Sequence, residues 1–380
     1  MAPASPLSLQ SGQVTPVLHL PPKRGNRCMC RATPPRQVRQ ENPLQTLHCI
    51  HGIHLRQGKK VTLRELQSMT KNRSAKMLTG METVALSSLS DYINNLDTEA
   101  LAELIKTLVE KYGKLLTGRE KKLFRIFDTT WMTVTRKQFP QAVPSGGGGR
   151  NAIRMGLRVG GESLFPDLVL VHCESTSDND IFKNLLKLVR NAQITYIFDQ
   201  GFTKLSDFLD IDASGNYFIT RMFPCYSYQV LKNQPIVEKK GSLKILADQE
   251  VLVGSNDNPG QGIFRRVEAR TREGKELVFL TNRWDLESWE VCDTYKLRWQ
   301  IEVIFRWFKQ YLNLNHFIAH SINGVLAQML LIALTHLLLL IFHRALNGSK
   351  KFSFIESERT LRNLIDEAIA GEPPPAVKLF

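Results

Sequence analysis

Apolar and polar positions change their period along the chain, and the change separates a helical segment from a β segment. From about residue 46 to 118, apolar residues recur at helical spacing, most clearly over Ala100–Tyr112. From residue 121 the spacing becomes that of strands. Three successive strands are predicted at Leu123–Val134, Ala152–Val159 and Asp167–Cys173.

The following segment alternates between helix and strand. A short helix at about Ile181–Val189 precedes a fully buried strand at Ile194–Phe198, and a helix at Thr203–Leu209 precedes a strand at Asn216–Met222. Three strands followed by this alternation predict a mixed α/β sheet. The tetraglycine Gly146–Gly149 lacks the Lys-Ser/Thr of a phosphate-binding loop and is predicted to be a flexible hairpin loop.

The C-terminal third returns to helical spacing after a second β segment. Residues 223–282 are rich in β-branched runs and predict a mostly β insertion, and long helices follow at about 285–313 and 321–345. The run Val325–Phe342, about 18 residues long, is a candidate transmembrane span at the lower limit of length. A buried helix packed behind the preceding one explains it more simply, so we expect no membrane partner.

Charge narrows the class of partner. The chain has 380 residues, with 50 Lys+Arg against 36 Asp+Glu, a net charge of +14. A surplus of this size favours a polyanion such as nucleic acid, although a basic soluble protein without such a partner remains the alternative.

The cysteines indicate a reducing compartment. Six cysteines in a chain of this length do not form the pattern of a disulfide framework, which favours a cytoplasmic setting. A cluster of cysteine and histidine near the N-terminus raises the alternative of a zinc site, but its spacing matches no common zinc finger. The cluster consists of Cys28, Cys30, His48, Cys49, His51 and His54.

The N-terminal part divides into an arm and a helical segment. Residues 1–45 are basic and rich in proline and predict a disordered arm. Between 46 and 80 there are seven basic residues against Glu65, so the helical domain at 46–118 is predicted to bind DNA. The alternative is an ordinary helical subdomain with solvated charges.

The chemistry concentrates in one short segment of the C-terminal third. On an ideal helix, Tyr295, Arg298, Glu302 and Lys309 fall within roughly 60° of one another, so one stripe holds a carboxylate between two cations and a phenol. This set suits a metal-binding acid beside a phosphate backbone. The opposite stripe is apolar and predicts a core-facing side, formed by Leu297, Ile301, Ile304, Phe308 and Leu312.

Two further carboxylates occupy strand positions. Asp128 lies within the first core strand and Asp199 ends a buried strand, where a charge is costly unless it is paired or bound to a metal. Locally, Asp128 is also explained as a strand hydrogen-bonder, Asp199 as a turn cap, and Glu302 as an ion-pair partner of Arg298 or Arg306. Alternatives to Asp199 follow the preceding strand in a polar run: Glu174, Asp178 and Asp180.

Asp128, Asp199 and Glu302 would together offer three oxygen ligands. Such a set matches Mg²⁺, for which Mn²⁺ substitutes, and two ions of this kind assist phosphodiester displacement.

The chain resembles the DDE transposases of bacterial insertion sequences, in the branch with a Tyr-(2)-Arg-(3)-Glu-(6)-Lys signature. The spacing is met by Tyr295, Arg298, Glu302 and Lys309. Thr281-Asn282 before the signature and the Leu-rich helix after it are also similar. The resemblance covers about 120–345 well and 46–118 loosely. The Arg that often follows the second acid is replaced by Gln200.

The resemblance implies a ribonuclease-H-like mixed sheet with flanking helices, a mostly β insertion before the last catalytic helix, and a small helical N-terminal domain. The catalytic core would span 119–222 and 283–348 around the insertion at 223–282, with a C-terminal tail at 349–380. Asp128, Asp199 and Glu302 would be the catalytic, metal-binding acids. Four residues would contact DNA: Tyr295, Arg298 and Lys309 through phosphates, and Trp299 by stacking on a base, for which core packing is the alternative.

The implied activity is cleavage of element ends and strand transfer into target DNA, with Mg²⁺ as cofactor. Double-stranded DNA would be the partner, with the protein acting as a homodimer on DNA in the bacterial cytoplasm, at the nucleoid when bound. Two alternatives stay open: an inactive DNA-binding remnant of such an element, and a ribonuclease-H-like nuclease without strand transfer.

Overall fold

A computed structural model of the chain describes residues 17–19, 62–71, 84–117, 123–172 apart from 138, 141 and 145–149, 193–255 apart from 203, 238 and 240–242, and 258–370 apart from 349 and 351. Several predicted features lie outside these residues: the helix at Ile181–Val189, the tetraglycine loop, the zinc candidates, most of the basic arm, and Glu174, Asp178 and Asp180.

Within the described ranges the chain forms eleven strands and eight helices. They are β1 (Val17–His19), α1 (Leu63–Thr70), α2 (Leu86–Asn94), α3 (Thr98–Thr117), β2 (Phe124–Thr135), β3 (Val143–Pro144), β4 (Arg150–Gly160), β5 (Pro166–His172), β6 (Thr195–Ile197), α4 (Leu205–Ala213), β7 (Tyr217–Arg221), β8 (Ser227–Asn233), β9 (Lys244–Ser255), β10 (Asn258–Arg270), β11 (Glu276–Thr281), α5 (Ser288–Lys296), α6 (Trp299–Gln310), α7 (Ile322–Asn347) and α8 (Phe354–Ala370).

The strands form one mixed sheet with β2, β6 and β7 at its centre. β2, β4 and β5 make an antiparallel meander, and β6 and β7 run parallel to β2 on its other side, in the order β5-β4-β2-β6-β7. A three-stranded meander continued by parallel strands beside its first strand is the ribonuclease-H-like arrangement. The predicted fold class is confirmed.

The predicted β insertion extends this sheet rather than forming one of its own. β11 pairs antiparallel with β7, and the order then continues through β10 and β9 to β8. All seven residues of β8, the outermost strand, are exposed. Backbone hydrogen bonds between β7 and β11 therefore join this extension to the central strands.

Both faces of the central sheet are covered, which explains the continuous apolar runs of its strands. On one face Ile126 and Ile197 belong to a core that includes α6 and α7. On the other face Phe127, Tyr196 and Phe218 pack with the apolar side of α4. The first four residues of β2 are accordingly buried, Asp128 and Thr129 are partly buried, and the rest of the strand alternates between buried and exposed residues.

The apolar helix α7 is a core element. Among the described residues it is the one helix long and apolar enough to cross a membrane, but 89% of its most apolar window is buried inside the protein. The ring of His336 lies 5.4 Å from that of Phe308 on α6, and its Nε2 donates to the carbonyl of Leu164 at 3.1 Å. Burial lowers the pKa of His336 to about 4, so the imidazole is neutral at physiological pH. The buried-helix interpretation is confirmed.

Three segments differ from the predictions. Val17–His19, inside the predicted disordered arm, form β1, because the outer edge of β5 offers free backbone partners for a parallel strand. The single helix predicted at 285–313 is two helices, α5 and α6, with a tighter turn at Leu297 and Arg298. The predicted tail contains α8, whose Phe354 and Leu361 pack against the core.

The N-terminal helices dock on α7 through Asn94. The side-chain oxygen of Asn94 accepts from the backbone N–H groups of His320 and Ser321 at 3.0 and 2.9 Å, and its carbonyl accepts from Asn323 Nδ2 at 3.1 Å. A Cβ on Gly324 would lie 2.6 Å from Ala319 Cβ and 3.0 Å from Asn94 Oδ1. The close approach of α2 to the start of α7 therefore requires glycine at 324.

Replacing Asn94 by alanine should lower the free energy of unfolding by about 2 kcal/mol, because two backbone N–H groups lose their acceptor. Urea unfolding measures the loss. Asn95→Ala is the matched control, since Asn95 is exposed and its Nδ2 bonds only within α2, to Asp91. An equal loss in both variants would contradict the docking role of Asn94.

Candidate active site

The register of two parallel strands brings the two predicted aspartates side by side. Ile126 of β2 is paired with Ile197 of β6. Asp128 and Asp199 each follow the paired isoleucine by two residues, and side chains two apart on an extended chain share a face. The two carboxylates therefore lie on the face covered by α6, and both are partly buried.

Arg298 and Tyr295 connect these aspartates to the third acid. Nη2 of Arg298 donates to Oε1 of Glu302 at 2.5 Å, and its Nη1 lies 4.0 Å from Oδ2 of Asp128. The hydroxyl of Tyr295 donates to Oδ1 of Asp199 at 3.3 Å. The Arg298 guanidinium also lies 5.9 Å from the centre of the Tyr295 ring, so the fold brings acids that are 71 and 103 positions apart into one network of hydrogen bonds, ion pairs and a cation–ring contact.

The signature residues reach this network from two helices and the turn between them. Tyr295 lies in α5, Arg298 in the turn, and Glu302 and Lys309 in α6. The N–H groups of Leu297 and Arg298 bond to carbonyls three residues back at 3.0 Å, so the backbone winds more tightly there than an α-helix. The prediction of one continuous helical stripe is wrong in this respect. The apolar side holds, since Ile301, Ile304, Phe308 and Leu312 are fully buried and Leu297 partly so.

Burial at this site shifts the pKa values of Asp128 and Lys309. Burial raises the pKa of Asp128 to about 6; the Thr129 N–H and the Arg298 cation oppose this, and the carboxylates of Asp199 and Glu302 add to it. Burial also lowers the pKa of Lys309, while Asp128 acts in the opposite direction. Lys309 therefore lies within electrostatic reach of Asp128, on the side of the acids predicted from its spacing.

The three acids also form the local hydrogen bonds and the ion pair that their sequence positions suggest. Asp128 accepts from the N–H of Thr129 at 2.8 Å, and Asp199 accepts from the N–H of Gln200 at 2.9 Å. Glu302 forms its ion pair with Arg298. These bonds use one oxygen of each carboxylate and fix its orientation.

Trp299 is on the surface. Its side chain is 53% exposed, and the guanidinium of Arg306 lies 5.6 Å from its ring centre. The core-packing alternative for this residue is therefore wrong. The exposed ring stands three residues before Glu302, on a neighbouring side of α6.

Arg221 is a cation at this site that the sequence analysis did not select. It is the last residue of β7, paired in register with Phe279, and the Phe279 ring lies 5.1 Å from that of Tyr295. Burial raises the pKa of Tyr295, and Arg221 is close enough to oppose the rise. Its position at the carboxyl end of the strand next to the one bearing Asp199 was the available signal, since ligands collect at such ends.

The donor set fits a divalent cation. All the side-chain ligand atoms that Asp128, Asp199 and Glu302 offer are carboxylate oxygens, which hard cations prefer. Within the described ranges, no three His, Cys, Asp or Glu side chains already form a metal cage. The Arg298 guanidinium instead contacts Glu302 and faces Asp128.

Comparison with known proteins bears on this site. Residues 119–338 match the family described as the transposase DDE domain. A protein of Sinorhizobium fredii named as a transposase is 29% identical over 152 residues, which are 40% of this chain and 43% of its own, so the match spans less than half of that relative.

Two further relatives are matched over more of their length. A protein of Geobacillus stearothermophilus named for the insertion sequence element IS5377 is 22% identical over 69% of this chain and 68% of its own. A protein of Synechocystis named for the insertion sequence element IS4SA is 23% identical over 68% of this chain and 72% of its own. The solved piggyBac transposase synaptic complex with hairpin DNA aligns with 94% of this chain and 77% of its own at 13% identity, with a TM-score of 0.47.

The raised pKa of Asp128 predicts a pH-dependent cost in stability. Between its ordinary value of 3.8 and about 6, the folded protein binds more protons than the unfolded chain, so stability falls as pH rises through this window. In the presence of a metal chelator and above about pH 6, the free energy of unfolding of Asp128→Asn should exceed that of wild type by on the order of 2 kcal/mol. This difference should shrink below about pH 4.

Urea unfolding at several pH values measures the difference. Asp210→Asn, at an exposed aspartate of α4, is the control and should follow the wild-type profile. A gap between Asp128→Asn and wild type that stays constant with pH would contradict the raised pKa.

Proposed function

The chain belongs to the transposase DDE domain family, and on this basis we propose that it is a catalytically competent transposase that cuts the ends of an insertion sequence and joins them to target DNA. The family uses divalent metal ions. For this chain we propose Mg²⁺, with Mn²⁺ as a substitute, held by Asp128, Asp199 and Glu302.

The convergence of the three acids carries the proposal. One carboxylate comes from β2, one from the residues just after β6 and one from α6; Arg298 contacts Asp128 and Glu302, and Tyr295 bonds to Asp199. An ordinary α/β protein has no need for three partly buried carboxylates close together, because their mutual repulsion and desolvation oppose folding. A site that binds cations and phosphates makes use of that arrangement.

Each acid would have a distinct structural task. When bound, the metal ions activate the attacking oxygen and stabilise the leaving one. Asp128 is fixed by the Thr129 N–H, and Asp199 by Gln200 and Tyr295, so their free oxygens are pre-oriented. Glu302 bonds to Arg298 through Oε1, which leaves Oε2 for a metal ion, and a phosphate would compete with Glu302 for the guanidinium.

The cations around the acids suit a DNA backbone. Arg298 and Lys309 stand on the side of Asp128, while Arg221 and the Tyr295 hydroxyl stand on the side of Asp199. A phosphate drawn to the acids would thus meet positive charge on two sides. Trp299 would stack on a base exposed next to the cleaved phosphate.

The same function implies how the protein recognises DNA, how it assembles and where it acts. The basic helical domain at 46–118 would recognise element ends in double-stranded DNA. Two ends processed together imply a homodimer on DNA, in the bacterial cytoplasm and at the nucleoid. An inactive remnant would bind ends without cutting them, and a nuclease without strand transfer would leave no joined products.

Loss of any one acid should abolish cleavage. With cognate end DNA and Mg²⁺, Asp128→Ala, Asp199→Ala and Glu302→Ala should each lower the cleavage rate roughly 100-fold or more, because metal-based stabilisation is worth several kcal/mol. Asp293→Ala is the control, since this α5 carboxylate pairs with Lys296 outside the network. Retained cleavage in Glu302→Ala would remove it from the site, and uncut, bound ends with wild type would favour the inactive remnant.

Lys309→Ala should weaken end binding and lower the salt slope by roughly one phosphate contact. Binding titrations at several salt concentrations provide the slope. Lys296→Ala is the matched control, because this exposed lysine is already paired with Asp293 at 2.7 Å. If the slope of Lys309→Ala equals that of wild type, the lysine is structural.

A further inference from the structure

β2 and β4 continue together beyond the end of β6, past the place where the acids lie. β2 pairs with β6 over three residues only, whereas its pairing with β4 extends to Thr135 and Arg150. Residues 129–135 of β2 and 150–156 of β4 therefore form an arm, named here the β2–β4 arm. At about 3.3 Å of rise per residue, Thr135 lies about 23 Å beyond Asp128.

One face of the β2–β4 arm is uncovered. Side chains alternate between the two faces along β2, and Phe127, on the face opposite to Asp128, is buried in the core that includes α4. Farther along the same face the side chains of Trp131, Thr133 and Thr135 are exposed, that of Trp131 by 40%. This exposed row thus begins about 10 Å beyond Asp128 and points to the other side of the sheet.

Arg154 of β4 holds the tryptophan ring of this row in place. It is paired in register with Trp131, and its guanidinium lies 3.7 Å from the centre of the indole ring. The Arg154 side chain is itself buried, at 6% exposure. A cation–ring contact of this kind restrains the ring, so the tryptophan is both exposed and fixed in orientation. Such a tryptophan is typical of a surface that binds a partner.

The charged residues of the segment that contains the arm are all basic. Residues 129–161 contain no Asp or Glu, and they contain five basic residues: Arg136, Lys137, Arg150, Arg154 and Arg158. Arg136 and Lys137 follow the end of β2 in a turn and are exposed. Neither forms an ion pair with another residue that the structure describes. A surface of this charge complements a polyanion, and phosphates would neutralise its two exposed cations.

We propose that the exposed face of the β2–β4 arm binds the target DNA duplex, an inference that rests on the proposed function. Arg136 and Lys137 contact phosphates of the target, and the hydroxyls of Thr133 and Thr135 donate to phosphate oxygens. Trp131 packs against the sugar of a nucleotide between these phosphates and the acids. All these contacts are made to the DNA backbone, so they suit a partner without a fixed sequence.

The direction in which the arm faces favours target DNA over the element end. Arg298 and Lys309, which would hold the end, stand near Asp128 on the face covered by α6, whereas the exposed row faces the opposite side. Joining requires two duplexes to meet at the same acids, and two polyanions repel each other unless separate cationic surfaces hold them. Because β2 carries both Asp128 and the exposed row, a duplex on the arm reaches the acids from its own side.

Binding of a duplex that lacks the element ends tests the arm without requiring catalysis. Titrations of the full chain at several salt concentrations give the salt slope. Arg136→Ala/Lys137→Ala should lower the slope by roughly two phosphate contacts and weaken binding about tenfold or more. Thr133→Glu, which adds a negative charge to the exposed row, should also weaken binding.

Lys232→Ala/Arg359→Ala is the matched control. It likewise removes one lysine and one arginine from exposed positions, but on β8 and α8, and it should keep the wild-type slope. Melting temperatures show whether each variant is folded. An unchanged slope in Arg136→Ala/Lys137→Ala would overturn the proposal. Should that variant unfold, Thr133→Glu decides, and wild-type affinity in Thr133→Glu would overturn it.

Cleavage and joining assays separate the target from the element end. At limiting target concentration, Arg136→Ala/Lys137→Ala should form about tenfold less joined product than the control, while it cleaves element ends at the rate of the control. An equal fall in cleavage and joining would assign the arm to the element end and overturn the proposal. Normal duplex binding with loss of self-association in sedimentation would assign the face to a second copy of the chain, which also overturns it.

The same assays distinguish the two proposals from each other. If wild type binds the duplex with the slope that depends on Arg136 and Lys137, but neither cuts nor joins DNA in any divalent metal, the proposed function fails alone. If wild type and Arg136→Ala/Lys137→Ala cut and join DNA equally at limiting target, the proposal for the arm fails alone.

Discussion

The parallel pairing of β2 with β6 is the constraint on which the site depends, because it alone sets the two aspartates beside each other. The pairing spans three residues of each strand, Phe124–Ile126 and Thr195–Ile197. A slip of one residue would turn one carboxylate to the opposite face of the sheet. Such a slip is opposed by burial, since Ile126 and Ile197 face one core while Tyr196 faces the other. The packing that fixes the strand register therefore also fixes the relative positions of the two aspartates.

The environment of the three acids is unfavourable for ionised carboxylates. The neighbouring carboxylates repel one another, and burial raises the pKa of Asp128. Arg298 balances part of this charge by contacting Glu302 and approaching Asp128. The same guanidinium would serve a phosphate once metal reaches the acids. The protein therefore has an internal counter-ion that metal and substrate would displace.

Much of the fold follows from local pattern. Strand spacing identified β2, β4, β5, β6 and β7 within a few residues, and the apolar stripe of α6 is buried as its period indicates. Local sequence pattern could not predict that the acids lie close together, because their proximity depends on the register between strands that are far apart in the sequence. The tighter turn at Leu297 and Arg298 was missed because both residues keep helical dihedral angles and scarcely disturb the apolar period. Arg221 was missed because a cation at a strand end has no pattern until the neighbouring strand is known.

Burial of α7 also has a consequence for biosynthesis. As it leaves the ribosome, a helix this apolar presents the same features that mark a segment for membrane insertion. The elements that cover it, α2, α3 and β5, precede it in the chain and have been translated before it appears. Only α8 follows. Most of the elements that cover α7 are therefore translated before the helix emerges. Truncation from the N-terminal side would leave α7 exposed, and the secretory machinery would then recognise it as a membrane segment.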